Sequence, residues 1–304
     1  MSFIPLAPFK GGLIIRIPVP EEFDYVQNLQ FLKRSPKEVL HRIEEDGIVK
    51  LLQIEGELVL FSVKNSRKGL ALEFINGTPS AVIKKHVKNY VREWFDLETD
   101  LSPFYKLARK DDLLTELVKK HYGYRIIGQP DLFESLVWAV LGQQINVQFA
   151  YTLKQRFVEK FGERLSWKDQ DYFLFPTPAR VASLGDADLL PLQFSRQKSK
   201  YAVNIAEVFA NGSISKDKLR GIPLQEAKEI LMKVKGVGNW TANYALMKTF
   251  RYPDAFPLED AGIHNAIKNL KGMKKKPSLD QVKRVFKKYK GWEAYATLYL
   301  WKSL

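Results

Sequence analysis

The stretch of residues 231–267 constrains the fold more than any other part of the chain, because it joins two helical patterns through a glycine turn. Apolar residues recur at spacings of three and four up to Val237, which predicts a helix. Gly236 and Gly238 end that pattern, and a second helical pattern follows at once. The sequence therefore predicts a hairpin of two helices, in which glycine lets the backbone come close to another molecule.

The turn of this hairpin has the properties of a phosphate site. Backbone N–H groups at the positive end of the second helix attract an anion. Asp260 follows, at the predicted start of a third helix. Taken alone, a Gly-x-Gly between helices is typical of a helix C-cap and turn, and a lone Asp is typical of an N-cap. Their order and spacing, with aromatic residues between them, favour chemistry on DNA.

A family resemblance rests on these same residues. The segments 237–244 (VGNWTANY) and 253–256 (PDAF), followed by Asp260, resemble the helix-hairpin-helix DNA glycosylase superfamily, and more narrowly its AlkA-type 3-methyladenine DNA glycosylases. The supporting stretches are Leu141 to Gln144, Phe161 to Leu165, Phe175 to Pro178, and Trp292 to Trp301. The resemblance extends from about Leu132 onward and is only architectural before that residue.

The resemblance implies a role for each matching position. It makes Asp260 the catalytic residue and places Trp240, Tyr244 and Trp301 around the damaged base. It assigns DNA contacts to Gln144, Gly236, Val237, Gly238 and Thr241. For the aromatic residues, packing in the core is the alternative.

One carboxylate is chemically sufficient for this reaction. Cleavage of an N-glycosidic bond passes through a cationic sugar, which a carboxylate stabilises while it positions water. An alkylated purine already carries positive charge, so its departure needs no general acid, and electron-rich rings bind such a cation well. Glu259 is adjacent and is expected to point elsewhere.

Position 240 indicates the mechanism class. In the glycosylase/lyases of the superfamily, the second residue after the hairpin's Gly-x-Gly is a lysine that forms a Schiff base. Trp240 takes that place here, which favours a monofunctional enzyme that uses water. Gln144 matches the loop that fills the gap left by a flipped base, although the family often has an apolar residue there. An ordinary polar loop is the alternative for Gln144.

Composition limits the partners and cofactors. The 304 residues carry a net charge of +14, of which +9 lies in residues 264–304, as expected for binding a polyanion. There is no cysteine, and the four histidines lack metal-ligand spacing. We expect a cytoplasmic monomer that binds double-stranded DNA containing damaged bases, with no membrane partner, no organic cofactor and no catalytic metal. The sequence leaves open whether the hairpin holds a structural monovalent cation.

The pattern along the chain predicts an α+β fold. Residues 1–97 predict a small antiparallel β-sheet domain with helices, including strands at 13–19, 49–54, 58–64 and 70–74. Ser35-Pro36-Lys37-Glu38 predicts a capped helix that ends at Gly47. Residues 98–304 are predicted to be helical throughout. The resemblance implies a two-lobed all-α region, with one lobe at 132–252 and the other at 98–131 plus 253–304.

Two other functions are compatible with part of this pattern. An oxidised-guanine DNA glycosylase/lyase would also carry an N-terminal sheet domain, but Trp240 argues against it. A non-catalytic helix-hairpin-helix module would only bind DNA, and Asp260 with the aromatic residues argues against that. The favoured function is a monofunctional glycosylase that flips out alkylated bases of the 3-methyladenine or 7-methylguanine type.

Overall fold

The computed structural model describes residues 14–44 and 47–304. Apolar segments of the first part of the chain form one antiparallel sheet, as predicted. Its strands are β1 (Ile14–Ile17), β2 (Arg42–Glu44), β3 (Gly47–Ile54), β4 (Glu57–Ser66) and β5 (Gly69–Phe74). They lie in the order β1-β5-β4-β3-β2. The strand predicted at 13–19 is confirmed from Ile14 to Ile17, whereas Leu13 lies outside the described residues.

The turn between β3 and β4 fixes their register. Glu55 and Gly56 both have left-handed backbones, with φ of 52° and 81°. Two such residues form the turn whose twist matches that of a β-hairpin. Ile54 therefore pairs directly with Glu57, and the strands predicted at 49–54 and 58–64 form a hairpin with a two-residue loop.

Both faces of the sheet are covered. Helices α1 (Tyr25–Leu32) and α2 (Ala81–Trp94) share one apolar core with the sheet. On the other face lies a small hairpin of β6 (Arg164–Trp167) and β7 (Gln170–Phe173), whose Tyr172 packs against β3 and β4. This double coverage explains why the middle of β4 is buried without alternation.

The helix predicted from Ser35 to Gly47 is wrong. Ser35 Oγ accepts a hydrogen bond from the Lys37 N–H, two residues on, in place of the third-residue contact of a capping box. The Glu38 carboxylate instead binds the Lys154 ammonium at 2.8 Å, and the side chains of both residues are almost fully buried. The Glu38 side chain, which would have completed the capping box, therefore forms a tertiary ion pair instead.

The rest of the chain is almost entirely helical, as predicted. Its helices are α3 (Ser102–Ala108), α4 (Thr115–Lys120), α5 (Leu132–Gly142), α6 (Val147–Phe161), α7 (Pro178–Ala182), α8 (Asp186–Leu189), α9 (Arg196–Ala210), α10 (Lys216–Leu219), α11 (Leu224–Met232), α12 (Asn239–Phe250), α13 (Ala261–Leu270), α14 (Leu279–Phe286) and α15 (Glu293–Trp301). Short 3₁₀ turns follow α8 and α14. No helix of the described chain is both long and apolar enough to cross a membrane.

The helices pack around two separate apolar cores. One core, here called the hairpin lobe, takes its buried residues from Leu132 to Leu246. The other, the second lobe, combines residues between Leu101 and Ile126 with residues from Met247 to Leu300. The helical hairpin and α13 belong to different lobes, so the segment joining α12 to α13 runs from one to the other. The domain boundaries at residues 97, 131 and 252 stay predictions.

Arg125 joins the sheet domain to the second lobe. Its side chain is fully buried, and its Nη1 lies 2.7 Å from a Glu22 carboxylate oxygen. Its Nε donates to the carbonyl of Asp96 at 2.6 Å, and its backbone N–H donates to the Asn28 amide oxygen at 3.0 Å. Such a network holds the two parts in one relative position, because removing Glu22 would leave the buried Arg125 charge without this ion pair.

Candidate active site between the two lobes

Asp260 is held by three N–H donors. It caps α13 through Oδ1, which accepts from the Ile263 N–H at 2.9 Å. The same oxygen accepts from the Trp301 indole at 2.8 Å, and Oδ2 accepts from the Trp240 indole at 3.2 Å. The carboxylate is thereby fixed in orientation between the two lobes, with its charge stabilised by the helix N-terminus.

The aromatic residues predicted for the base form one wall. Trp240 stacks on Tyr244 with ring centroids 5.3 Å apart, and Tyr244 lies 6.5 Å from Trp301. Trp138 donates its indole N–H to the Tyr244 hydroxyl at 3.0 Å, although it was not predicted from the sequence to belong to the site. Together with Asp260 these residues line a cavity of about 1110 Å³, which we call the base cavity.

The turn between α11 and α12 presents backbone rather than side chains. Gly236 has a φ of 106°, and a Cβ added there would lie 2.4 Å from the Tyr201 ring. Val237 and Thr241 are buried, and the Val237 N–H already donates to the Val234 carbonyl at 3.0 Å. Gly238 caps α12 without a side-chain hydrogen bond, and a Cβ added at Gly238 meets nothing within 4 Å. The start of α12 is thus unobstructed, as a phosphate contact requires.

Gln144 lies at the rim of the base cavity. It is exposed and has a left-handed backbone, with a φ of 58°. The preceding residue, Gln143, ties this loop to the hairpin, because its side-chain amide donates to the Gly236 carbonyl at 3.2 Å and to the Thr241 hydroxyl at 3.0 Å. The Gln144 loop and the turn between α11 and α12 are therefore held together as one surface.

A buried lysine holds the other side of the same loop. The Lys198 ammonium donates to the carbonyls of Val140 at 2.9 Å, Leu141 at 2.9 Å and Gln143 at 2.6 Å. These carbonyls lie at the end of α5 and at its C-cap, where a helix leaves carbonyls without partners from a following turn. The Val140 carbonyl also accepts from the Gln143 N–H at 3.2 Å. Burial lowers the pKa of Lys198 to about 8.

Glu259 does not form an acid/base pair with Asp260. Both of its carboxylate oxygens accept from the Asn239 side-chain amide, at 2.9 and 3.0 Å. This contact turns Glu259 toward the first residue of α12, as expected from its position in the sequence.

The lysines near the hairpin differ in environment. Lys233 and Lys235 are exposed on the outside of the turn. Lys248 is buried, and its amine lies 4.6 Å from the centre of the Phe31 ring with no hydrogen-bond partner among the described residues. Burial, with the nearby Arg34 guanidinium, lowers the pKa of Lys248 well below its ordinary value.

Several residues that line the base cavity were not predicted from the sequence. Phe31 and Arg34 reach it from the sheet domain, and Trp138 and Lys248 reach it from α5 and α12. Lys248 could have been found, because Trp240, Tyr244 and Lys248 recur every four residues on one face of α12. Arg34 carries no such signal.

Metal chemistry has no evident ligand set here. Within residues 14–44 and 47–304, no cluster of three or more His, Cys, Asp or Glu side chains could hold a metal ion. At the hairpin, the Gly236 carbonyl already accepts from Gln143. The monovalent cation considered for this turn stays a prediction.

Comparison with known families identifies two matching models. Residues 137–291 match the model described as HhH-GPD superfamily base excision DNA repair protein. Residues 21–136 match the 8-oxoguanine DNA glycosylase N-terminal domain.

Individual relatives agree with this result. The chain is 43% identical over 296 residues to the DNA-3-methyladenine glycosylase of Bacillus subtilis, covering 96% of this chain and 97% of that one. Among solved structures, the 3-methyladenine DNA glycosylase of Archaeoglobus fulgidus has a TM-score of 0.81 at 22% identity, covering 95% of this chain and 97% of that one. The apo 8-oxoguanine glycosylase/lyase of Clostridium acetobutylicum has a TM-score of 0.75 at 22% identity over the whole of both chains. At such identities the two structures show the fold alone.

Proposed function

Because the chain belongs to the HhH-GPD superfamily of base excision DNA repair proteins, we propose that it is a monofunctional DNA glycosylase that removes alkylated bases. The proposed substrates are double-stranded DNA carrying 3-methyladenine or 7-methylguanine type lesions. The observation that carries the proposal is the Asp260 carboxylate, fixed between the Trp240 and Trp301 indoles at the mouth of an aromatic cavity. The 43% identical relative, itself named a DNA-3-methyladenine glycosylase, supports the substrate class.

The chemistry follows from this arrangement. The lesion leaves the base stack and enters the base cavity, where Trp240, Tyr244 and Trp301 contact its rings. The C1′–N bond breaks with its electron pair going to the base, and Asp260 stabilises the positive charge that develops on the sugar. A cationic alkylated base thereby leaves as a neutral molecule. Water then adds its hydroxyl to C1′, and its second proton is released to the solvent. All the residues invoked come from one chain, which is consistent with a monomer.

Asp260→Asn tests the proposal. Asparagine caps a helix as well as aspartate does, so α13 should persist. Loss of the charge should slow excision by about 10²- to 10³-fold, the scale for removing one transition-state stabiliser. The measurement is single-turnover release of 7-methylguanine from a duplex, with duplex affinity measured by fluorescence anisotropy.

Asp254→Asn provides the matched control, because Asp254 is an exposed carboxylate nearby that does not line the base cavity. It should excise as the parent does. Near-normal excision by Asp260→Asn would remove Asp260 from the mechanism.

A glycosylase/lyase acting on oxidised guanine is the second candidate, since the sheet-domain model is that of 8-oxoguanine DNA glycosylases and Lys248 offers a buried amine of lowered pKa. Lys248 lies two helical turns beyond Trp240, about 12 Å along α12. This separation along the helix supports a role for Lys248 other than attack on the sugar beside Asp260.

Borohydride trapping separates the two candidates. A Schiff base between a lysine and the abasic sugar would be reduced to a stable protein–DNA adduct. We expect no adduct from the parent or from Lys248→Met. An adduct formed by the parent and absent from Lys248→Met would establish the lyase instead.

A further inference from the structure

The base cavity is completed by an arginine from the sheet domain. Arg34 follows the end of α1 and lines the same cavity as Asp260 and Trp301. Its Nε donates to the Tyr151 hydroxyl at 2.5 Å, and its guanidinium carbon lies 3.9 Å from the centre of the Phe31 ring. These two contacts hold the guanidinium plane in a defined position.

Most of the hydrogen-bonding capacity of Arg34 is unused. A guanidinium has five N–H donors, and the Tyr151 hydroxyl takes only one of them. Its two terminal nitrogens have no hydrogen-bond or ion-pair partner among the described residues, and the side chain is open to the cavity. Four N–H groups are therefore available to a molecule that enters the cavity.

The surroundings leave Arg34 as a charged group without a counter-ion. Lys248, which lines the same cavity, is buried with an amine that has no hydrogen-bond partner among the described residues. Glu38 is paired with Lys154, and Glu259 with Asn239. An arginine held in this way prefers a ligand that is electron-rich or becomes so.

Bond cleavage provides such a ligand. When the C1′–N bond breaks, its electron pair moves to the base, and the charge of the base falls by one. A cationic alkylated base leaves as a neutral molecule, whereas a neutral base must leave as an anion until it gains a proton. A donor beside the base therefore matters most when the base carries no charge of its own.

On the premise of the proposed function, we propose that Arg34 is a catalytic residue that stabilises the departing base. Its terminal N–H groups donate to an acceptor on the base edge, such as O6 or N7 of a purine, while Asp260 stabilises the sugar. In the same reaction water supplies the hydroxyl to C1′ and the proton that neutralises the base. Arg34 thereby determines whether a lesion without positive charge is released.

The test compares two leaving bases in otherwise identical duplexes. Hypoxanthine is neutral, whereas 7-methylguanine is cationic in the nucleotide. Single-turnover excision is measured for the parent, Arg34→Met and Arg34→Lys. Arg34→Met should slow release of hypoxanthine by about 10²-fold or more and release of 7-methylguanine by less than about tenfold. Arg34→Lys, which keeps the charge without the planar fork, should recover part of the hypoxanthine rate.

Lys33→Met is the matched control, because it removes an exposed charge from the adjacent residue, outside the cavity lining. It should leave both rates unchanged. Equally slowed release of both bases by Arg34→Met would overturn the inference, since Arg34 would then only brace Tyr151 and Phe31. So would a parent that releases 7-methylguanine and not hypoxanthine. A parent that releases neither base would overturn the proposed function itself.

Discussion

Gly262 lies where Asp260 and Trp301 meet. A Cβ added at this position would lie 2.8 Å from Asp260 Oδ1 and 2.9 Å from the Trp301 ring. Within a helix, alanine is ordinarily more favourable than glycine by about 0.5–1 kcal/mol. Gly262→Ala should therefore displace the indole and lower excision by at least about tenfold, while the free energy of unfolding in urea stays close to that of the parent.

Gly185→Ala is the comparison for this variant, because a Cβ added there meets nothing within 4 Å. It should leave excision unchanged. Normal excision by Gly262→Ala would mean that the Trp301–Asp260 contact is dispensable.

Gln144 is predicted to fill the space that a flipped base leaves. An amide offers two donors and an acceptor to the orphaned partner base, and unstacking costs a few kcal/mol. Gln144→Ala should lower excision from duplex DNA and hardly change excision from single strands. Gln144→Leu should recover most of the duplex rate if volume is what matters and little of it if hydrogen bonding is. Single-turnover rates on both substrates give the answer, and parental behaviour of Gln144→Ala on duplex would make Gln144 an ordinary loop residue.

At the scale of the elements, the end of α5 depends on Lys198. Its pKa of about 8 lies below that of an exposed lysine, so between these values the unfolded chain binds more protons than the folded one. The contribution of Lys198 to the free energy of unfolding should therefore rise as pH increases from about 8 to about 10.5. Urea unfolding of the parent and Lys198→Met across this range measures it, because other titrating groups cancel in the difference. A pH-independent difference would contradict the assignment.

The sequence predicted those helices whose ends are fixed by residues close to them in the chain. Thr177 followed by Pro178 is a local signal for the start of a helix, and the Thr177 hydroxyl accepts from the Arg180 N–H at the start of α7. Ser35 carries an equally good capping signal, yet no helix follows, because Glu38 pairs with Lys154 more than a hundred residues away. The β6–β7 hairpin was missed for a similar reason. Its apolar side chains pack on a distant sheet that the local pattern does not reveal.

At the scale of the whole molecule, the structure divides the C-terminal positive charge into two groups. Lys288 contacts both Asp111 and Asp112, so its charge is already balanced within the protein. Lys274, Lys275 and Lys276 are exposed and form no ion pair among the described residues. A net charge counted from the sequence does not distinguish the paired Lys288 from the three unpaired lysines.

Salt dependence should separate the two groups. Replacing Lys274, Lys275 and Lys276 by Gln should reduce the log–log salt slope of duplex binding by about 0.9 for each phosphate that these side chains neutralise in the parent. Lys288→Gln should leave the slope unchanged and instead lower stability, because the buried Asp111 then loses its cationic partner. Equal effects of the two variants on the slope would show that ion pairs within the protein do not decide which lysines bind DNA.

The candidate site was predictable in part. Trp240, Tyr244, Trp301 and Asp260 were assigned through their resemblance to a family motif, and the structure brings them together. Arg34 belongs to a domain in which the sequence showed nothing catalytic. It reaches the cavity only because the sheet domain docks on both lobes, and docking of distant segments leaves no periodic pattern in the chain.

The base cavity has a consequence for the order of synthesis. Its walls come from Arg34, from the hairpin and from Trp301, which lies 41 residues after the carboxylate that it contacts. A ribosome-bound chain that already contains the turn between α11 and α12 still lacks the indole that orients Asp260. On the proposed function, we therefore expect attraction to DNA to precede the ability to excise a base, and a chain that ends before Trp301 to bind duplex DNA without forming an abasic site.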